Sequence, residues 1–163
     1  MDSSTFHTGS LKGQFRQLIN TFVIEQTNEE PDWDNLKIIH SWGATGGGER
    51  HGLYYEFCQS NRIGYYNFIT TQQAFGKCNK FEEACKKELA EYSNSTGNHD
   101  DILIDEAQDF PPAFLRICFE MLTSEKRLVY AYDDLQNLSS QSLPSPEEIL
   151  AINLMALQTS DSI

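Results

Sequence analysis

At 163 residues, with 39% hydrophobic and 12% aromatic content, the chain is long enough for one domain with a real core and too apolar for a disordered segment. Its 24 acids against 12 bases leave a net charge of −12, which excludes a free-standing nucleic-acid binder held by an overall basic surface. The four cysteines form no Cys-x-x-Cys pair, none has a His at zinc-ligand spacing, and no run reaches the length of a membrane span. Without a charged-then-apolar signal at the N-terminus, Cys58, Cys78, Cys85 and Cys118 read as reduced thiols of a cytoplasmic protein.

The first ten residues are polar apart from Phe6. From Leu11 to Gln26, Leu11, Phe15, Leu18, Ile19, Phe22 and Val23 recur at helical spacing, with Ser10 as the expected cap. Thr27 to Asn35 is acidic, contains Pro31 and reads as a loop, after which Leu36 to His40 reads as a short strand. Gly43 to Gly52 is glycine-rich. Leu53 to Gln59 fits a helix with Tyr54, Phe57 and Cys58 on its apolar side. Asn79 to Tyr92 fits an amphipathic helix striped by Phe81, Ala84, Cys85, Leu89 and Tyr92, its charged face solvated.

Ser93 to Asp101 is a polar connector into Ile102-Leu103-Ile104, three apolar residues running straight into Asp105 and Glu106. So short an apolar run bounded by charge predicts a strand buried on both faces of a parallel sheet. Ligands of such sheets sit beyond the carboxyl ends of the strands, where these two acids emerge. Side by side there, one can hold Mg²⁺ and the other can act on a water. A lone Asp-Glu pair is more often simply solvated, so the weight falls on the residues C-terminal to it. Asp109 precedes Pro111 and Pro112 as the expected cap of a helix over Ala113 to Leu122. A second strand, Leu128 to Tyr132, ends in Asp133 and Asp134, completing a right-handed βαβ unit. Beyond Ser139 comes a Ser/Gln/Pro-rich loop and then a helix from Pro146 through Leu157.

Asp105-Glu106-Ala107-Gln108-Asp109, one helix and one strand ahead of Tyr132-Asp133-Asp134-Leu135-Gln136-Asn137-Leu138, resembles motifs II and III of superfamily 1 DNA helicases of the UvrD/Rep type. The resemblance implies an α/β fold, a three-layer parallel sheet with flanking helices, as an incomplete P-loop NTPase (RecA-like) motor domain. It implies that Asp105 holds Mg²⁺ and that Glu106 polarises the water attacking ATP. Gln108, Gln136 and Asp133 would then line the nucleotide, with Gln136 touching the γ-phosphate. Phosphoryl transfer is mostly positioning and charge stabilisation, which suits acids in fixed places. Less tightly, Thr5-Phe6 and the helix after it resemble motif Ia, and Ile39-His40-Ser41-Trp42 resembles motif Ib. Both lie on the single-stranded DNA side in that family. Thr5, Phe6, Ser41 and Trp42 are the nucleic-acid candidates this implies, with Lys12 and Arg16 as phosphate contacts or mere solubilising charges. Trp42 can stack on a base or pack in a core.

The departures narrow the expectation. Gly43 to Arg50 has the glycine spacing of a phosphate loop, but Glu49 stands where the Lys belongs and Arg50 where the hydroxyl belongs. Gly43 replaces the His usual in motif Ib, and Ser139-Ser140-Gln141-Ser142 replaces the aromatic and Arg-Gly continuation of motif III. The chain thus reads as part of a first motor domain: 1–35 motif Ia-like, 36–101 motif Ib-like with a helical insertion, 102–138 motifs II and III, 139–163 a loop and helix. ATP hydrolysis coupled to movement on single-stranded DNA would need a P-loop and a second motor domain that these residues do not supply. Two rival readings use the same residues differently. One is a non-catalytic helicase-like module that docks a protein partner, favoured by the acidic charge. The other is a P-loop-free Mg²⁺-dependent hydrolase acting through Asp105 and Glu106.

Overall fold

The computed structural model describes residues 8–44, 51–93 and 97–131. The chain divides into two compact units, Met1–Leu53 and Tyr54–Ile163.

In the first unit, α1 (Thr8–Thr27) starts earlier than the spacing predicts, so Ser10 lies inside its first turn instead of capping it. Phe15, Ile19 and Val23 form one half-buried i, i+4 row, whereas Leu18 and Phe22 form a second, exposed row. The helix ends where Asn28 enters the left-handed region at φ +59°. Asp32 then closes a turn: its carboxylate accepts the Asp34 N–H at 3.1 Å and the Asn35 side-chain amide at 2.8 Å. Those hydrogen bonds, the one from the Asn35 side chain first, hold its carboxyl below the usual carboxylate range. The Arg16 guanidinium stacks 4.3 Å above the Trp33 ring. The strand predicted over Leu36 to His40 is not formed. Among the described residues only His40 of this run pairs, in one parallel bridge to Gly52, because an apolar run becomes a strand only where a neighbour completes its ladder.

The second unit is built on aromatic packing. α2 (Leu53–Asn61) buries Tyr54, Phe57 and Cys58, the side its sequence assigns to the core. α3 (Phe68–Phe75) has no apolar stripe to announce it: Phe68 and Ile69 are exposed and Thr71 is its buried residue. Its signal is the cap. Asn67 Oδ1 accepts the N–H groups of Ile69 and Thr70 at 2.9 and 3.0 Å. α4 (Lys80–Glu91) buries Ala84, Cys85 and Glu88, and its outer face carries Lys86–Glu82, Lys86–Glu83 and Lys87–Glu91 ion pairs. Tyr54 meets Phe81 edge-on at 5.7 Å, Phe81 meets Phe114 at 5.3 Å, and Phe114 meets Phe110 at 5.1 Å. This chain of rings ties α2 and α4 to α5 (Pro112–Glu120) and to the residue that closes the carboxylate turn.

β1 (His99–Ile104) and β2 (Leu122–Tyr130) form a two-stranded parallel sheet joined through α5, the βαβ connection the sequence predicts. Its register runs Asp101↔Arg127, Ile102↔Leu128, Leu103↔Val129 and Ile104↔Tyr130. β2 begins earlier than predicted, at Leu122, but its first half is irregular. His99 faces Leu122 while Asp101 faces Arg127, so the intervening stretch of β2 bulges outward. The bulge has a cause in Lys126, which takes φ +52° and donates to the carbonyls of Phe119 and Leu122 at 3.0 and 3.1 Å, capping the end of α5. The expected burial on both faces does not hold among the described residues. Leu103 is 75% exposed and Val129 58%, because α5 packs on β2 and the opposite side of the pair carries no described element. The described residues contain five α-helices and these two strands.

Where β1 begins, backbone lies directly on backbone. Asn98 and His99 both donate to the Met121 carbonyl, at 3.0 and 3.1 Å. A Cβ on Gly97 would stand 2.2 Å from the Leu122 carbonyl oxygen. Glu56 of α2 braces the same point, its Oε1 2.9 Å from the Asn98 amide and 3.2 Å from His99 Nε2. Gly97→Ala must therefore separate the two strand starts. A loss of about 1–3 kcal/mol in urea unfolding is expected, and an unchanged midpoint would show that the contact yields freely.

Candidate functional site

The residues singled out by sequence meet at the carboxyl end of β1. The ladder does not stop at Ile104. The Ala131 N–H donates to the Ile104 carbonyl at 2.9 Å, and the Ala107 N–H donates to the Ala131 carbonyl at 2.8 Å. Ala131 thus clamps the chain on either side of Asp105 and Glu106, so those two residues are forced out of the sheet as a tight turn. Ala107, fully buried, leads into a 3₁₀ turn (Ala107–Asp109). The Asp109 and Phe110 N–H groups close it on the carbonyls of Glu106 and Ala107, at 2.9 and 3.1 Å. Phe110 then anchors on Phe114.

Asp109 accordingly sits inside the 3₁₀ turn and does not cap α5 as expected. That position belongs to Pro111, with Pro112 in the first helical turn. Proline costs a helix nothing there, since its missing N–H has no intrahelical partner anyway.

Within the turn, Glu106 occupies the left-handed region at φ +52°, ψ +49°. A residue with a Cβ reaches this region at a cost of order 1 kcal/mol, and the clamp from Ala131 holds it there. The Asp105 Oδ1 accepts the Glu106 N–H at 3.2 Å, and the Gln108 side-chain amide donates to Glu106 Oε2. The structure therefore brings Asp105, Glu106 and Gln108 into one exposed cluster, with Gln108 half-buried against it. Gln108, which the helicase resemblance assigns to the nucleotide, lies beside Glu106 and donates to its carboxylate.

Asp133 and Gln136, the other two nucleotide candidates, and Thr5 and Phe6 lie outside the described residues, as does the helix expected from Pro146 through Leu157. Ser41 and Trp42 belong to the first unit, where both are half-buried just past the His40–Gly52 bridge. Gly52 is required at that bridge, because a Cβ on it would stand 2.2 Å from the Gly43 nitrogen. An open groove in the same unit is lined by Gly13, Arg16, Gln17, Asn20 and Trp33.

The donor set at the carboxylate turn can be weighed against Mg²⁺ directly. Among the described residues no three His, Cys, Asp or Glu side chains gather at metal-holding distances. A resident all-protein cation cage would need such a group. A Mg²⁺ that arrives with a nucleotide needs only one or two carboxylates, since phosphates and waters complete its octahedron. Asp105 and Glu106 fit the second case. The buried thiols offer no chemistry of their own: desolvation pushes Cys58, Cys85 and Cys118 all upward, Cys58 to about 12. No described helix is long and apolar enough to cross a membrane.

What sequence reasoning misses is the clamp. Ala107 and Ala131 carry no chemistry, yet they decide where the carboxylates point, and the one signal, for Ala107 alone, is a small residue set inside an otherwise polar acidic run. Comparison with family models, with curated proteins and with solved structures returned no match.

Proposed function

We propose that this chain carries the metal-and-water half of the nucleotide-hydrolysis site of a superfamily 1 DNA helicase motor, and that by itself it hydrolyses ATP negligibly. What supports the reading is the turn itself: two adjacent carboxylates extruded from the end of a parallel strand, beside the strand that precedes Asp133 and Asp134 in sequence, with an amide from Gln108 donating to Glu106. Asp105 is the residue that would face a nucleotide-borne Mg²⁺, which would neutralise charge on the phosphates. Glu106, held by Gln108 and by its own strained backbone, would orient the attacking water. Hydrolysis demands more than this. These residues contain no Gly-x-x-x-x-Gly-Lys-Ser/Thr, so the amides and ammonium that cradle a triphosphate are missing from the site.

The purified chain is expected to hydrolyse ATP no faster than its Glu106→Gln variant. Mn²⁺ with a nucleoside triphosphate should nevertheless broaden the NMR amide signals of residues 104–110, and Asp105→Asn should abolish that effect. A Glu106-dependent rate stimulated by single-stranded DNA would disprove the inert-alone part, and broadening centred elsewhere would remove the site. A second reading, a helicase-like module that docks a basic protein surface, is favoured by the net charge of −12. Intact broadening in the Asp105→Asn variant would turn attention to it.

A further inference from the structure

The connector between α2 and α3, residues 62–67, runs over the carboxyl of Glu88. Gly64 of this connector is exposed, and a Cβ on it would meet one atom within 4 Å, Glu88 Oε1 at 3.8 Å. Glu88 itself has 0% of its surface exposed, and among the described residues neither of its oxygens has a hydrogen-bond partner. At Gly64, then, backbone without a side chain is what separates this acid from water. The connector is fastened at both ends. Arg62 takes the left-handed region at φ +56°, and the Arg62 and Ile63 N–H groups donate to the carbonyls of Gln59 and Cys58 at 3.2 and 3.1 Å. Tyr65 rests edge-on against Tyr55 at 4.9 Å, and Asn67 caps α3.

We propose that this connector is a gate, shut over the protonated Glu88 carboxyl and opening to hydrate the carboxylate once the proton leaves. A buried carboxylate without hydrogen bonds is too costly to persist, so ionisation has to admit water. Elsewhere Glu88 faces Tyr54 and Cys58 of α2 and Cys85 of α4, all wholly buried, and reaching it through them would break core contacts. The charges near it on its own helix, Lys87 and Glu91, are paired with each other at 2.5 Å. α3 carries no titratable side chain, Cys118 of α5 is kept neutral by burial, and the connector adds Arg62, exposed. One carboxyl thus governs the gate, and one segment of the second unit answers to pH near neutrality while the core stays folded.

Amide exchange of the full 163-residue chain across pH 5–8, corrected for the intrinsic pH dependence, tests this beside a ¹³C NMR titration of the Glu88 carboxyl. The carboxyl should titrate near pH 7. Protection of the Arg62 and Ile63 amides should fall by about tenfold or more over the same range, since each opening releases one proton. By pH 8 both should exchange almost freely, while the Met121 N–H, bonded to the Ile117 carbonyl at 3.0 Å, remains protected. In Glu88→Gln the two connector amides should stay protected throughout. Three results would each overturn the proposal. The connector could remain protected at pH 8 with Glu88 ionised, or lose its protection equally in Glu88→Gln. Arg62, Ile63 and Met121 could also become unprotected together, which would make the event global unfolding.

Discussion

Replacing Glu88 with glutamine is expected to stabilise the protein at pH 8 by about 3 kcal/mol. Glu88 sits on the core side of α4 with 0% of its surface exposed, and among the described residues neither carboxylate oxygen has a hydrogen-bond partner. Burial, helped by the nearby Glu91 carboxylate and opposed by Lys87, pushes its carboxyl up to about 7 from an ordinary 4.5. The groups around it do not share the titration. Tyr54 and Cys58 on α2 and Cys85 on its own helix are all shifted upward by burial and stay neutral between pH 5 and 8. Protonated in the fold but ionised in the unfolded chain, Glu88 makes stability fall as pH rises from about 4.5 to about 7, at roughly 1.4 kcal/mol per pH unit, and then level off. Glutamine keeps the shape and removes the ionisation. The two proteins should therefore differ by under about 1 kcal/mol at pH 5 and diverge above it. Urea unfolding by circular dichroism across pH 5–8 reads this directly. Parallel curves for the two proteins would mean that water reaches the carboxylate.

A second large effect is expected at α5, whose run from Ala113 reads as apolar. Arg116 and Glu120 are one turn apart and only 7% and 8% exposed, joined by a salt bridge, with the guanidinium also 5.4 Å above the Phe119 ring. Burying both charges costs several kcal/mol per ion and their attraction repays much of it, so the pair adds little net stability. Removing one member is another matter. Glu120→Ala removes the carboxylate that is paired with a buried guanidinium, and should cost about 3–5 kcal/mol. Arg116→Met combined with Glu120→Leu should come back to within about 1 kcal/mol of the native chain. If the double variant were as unstable as Glu120→Ala, or worse, packing and not the lost ion pair would be responsible.

Both cases show where sequence reading stops. The stripe of α4 is legible in Phe81, Ala84, Cys85 and Leu89, but Glu88 lies between them on the buried side. Nothing in a pattern of types distinguishes an acid that the core engulfs from one that water keeps. Leu36 to Ile39 fails in the opposite direction: a good strand composition with no neighbour to pair with among the described residues stays irregular. α3 shows that a cap alone can start a helix that no apolar period reveals. Capping is local chemistry between a side chain and the next few N–H groups, which makes Asn67 the better guide there.

The sequence by itself determined the parts governed by near neighbours along the chain. These are the helices at Leu11 to Gln26, Leu53 to Gln59, Asn79 to Tyr92 and after Pro112, and an acidic pair at a strand end. Tertiary structure alone decided how that pair is presented. Hydrogen bonds from Ala131, 27 positions beyond Ile104, fold the chain out between Ile104 and Ala107, place Glu106 in a left-handed conformation and leave Gln108 to aim it. Those bonds exist only once α5 has carried β2 alongside β1. The carboxylates are a property of the sequence, and their geometry is a property of the parallel pairing.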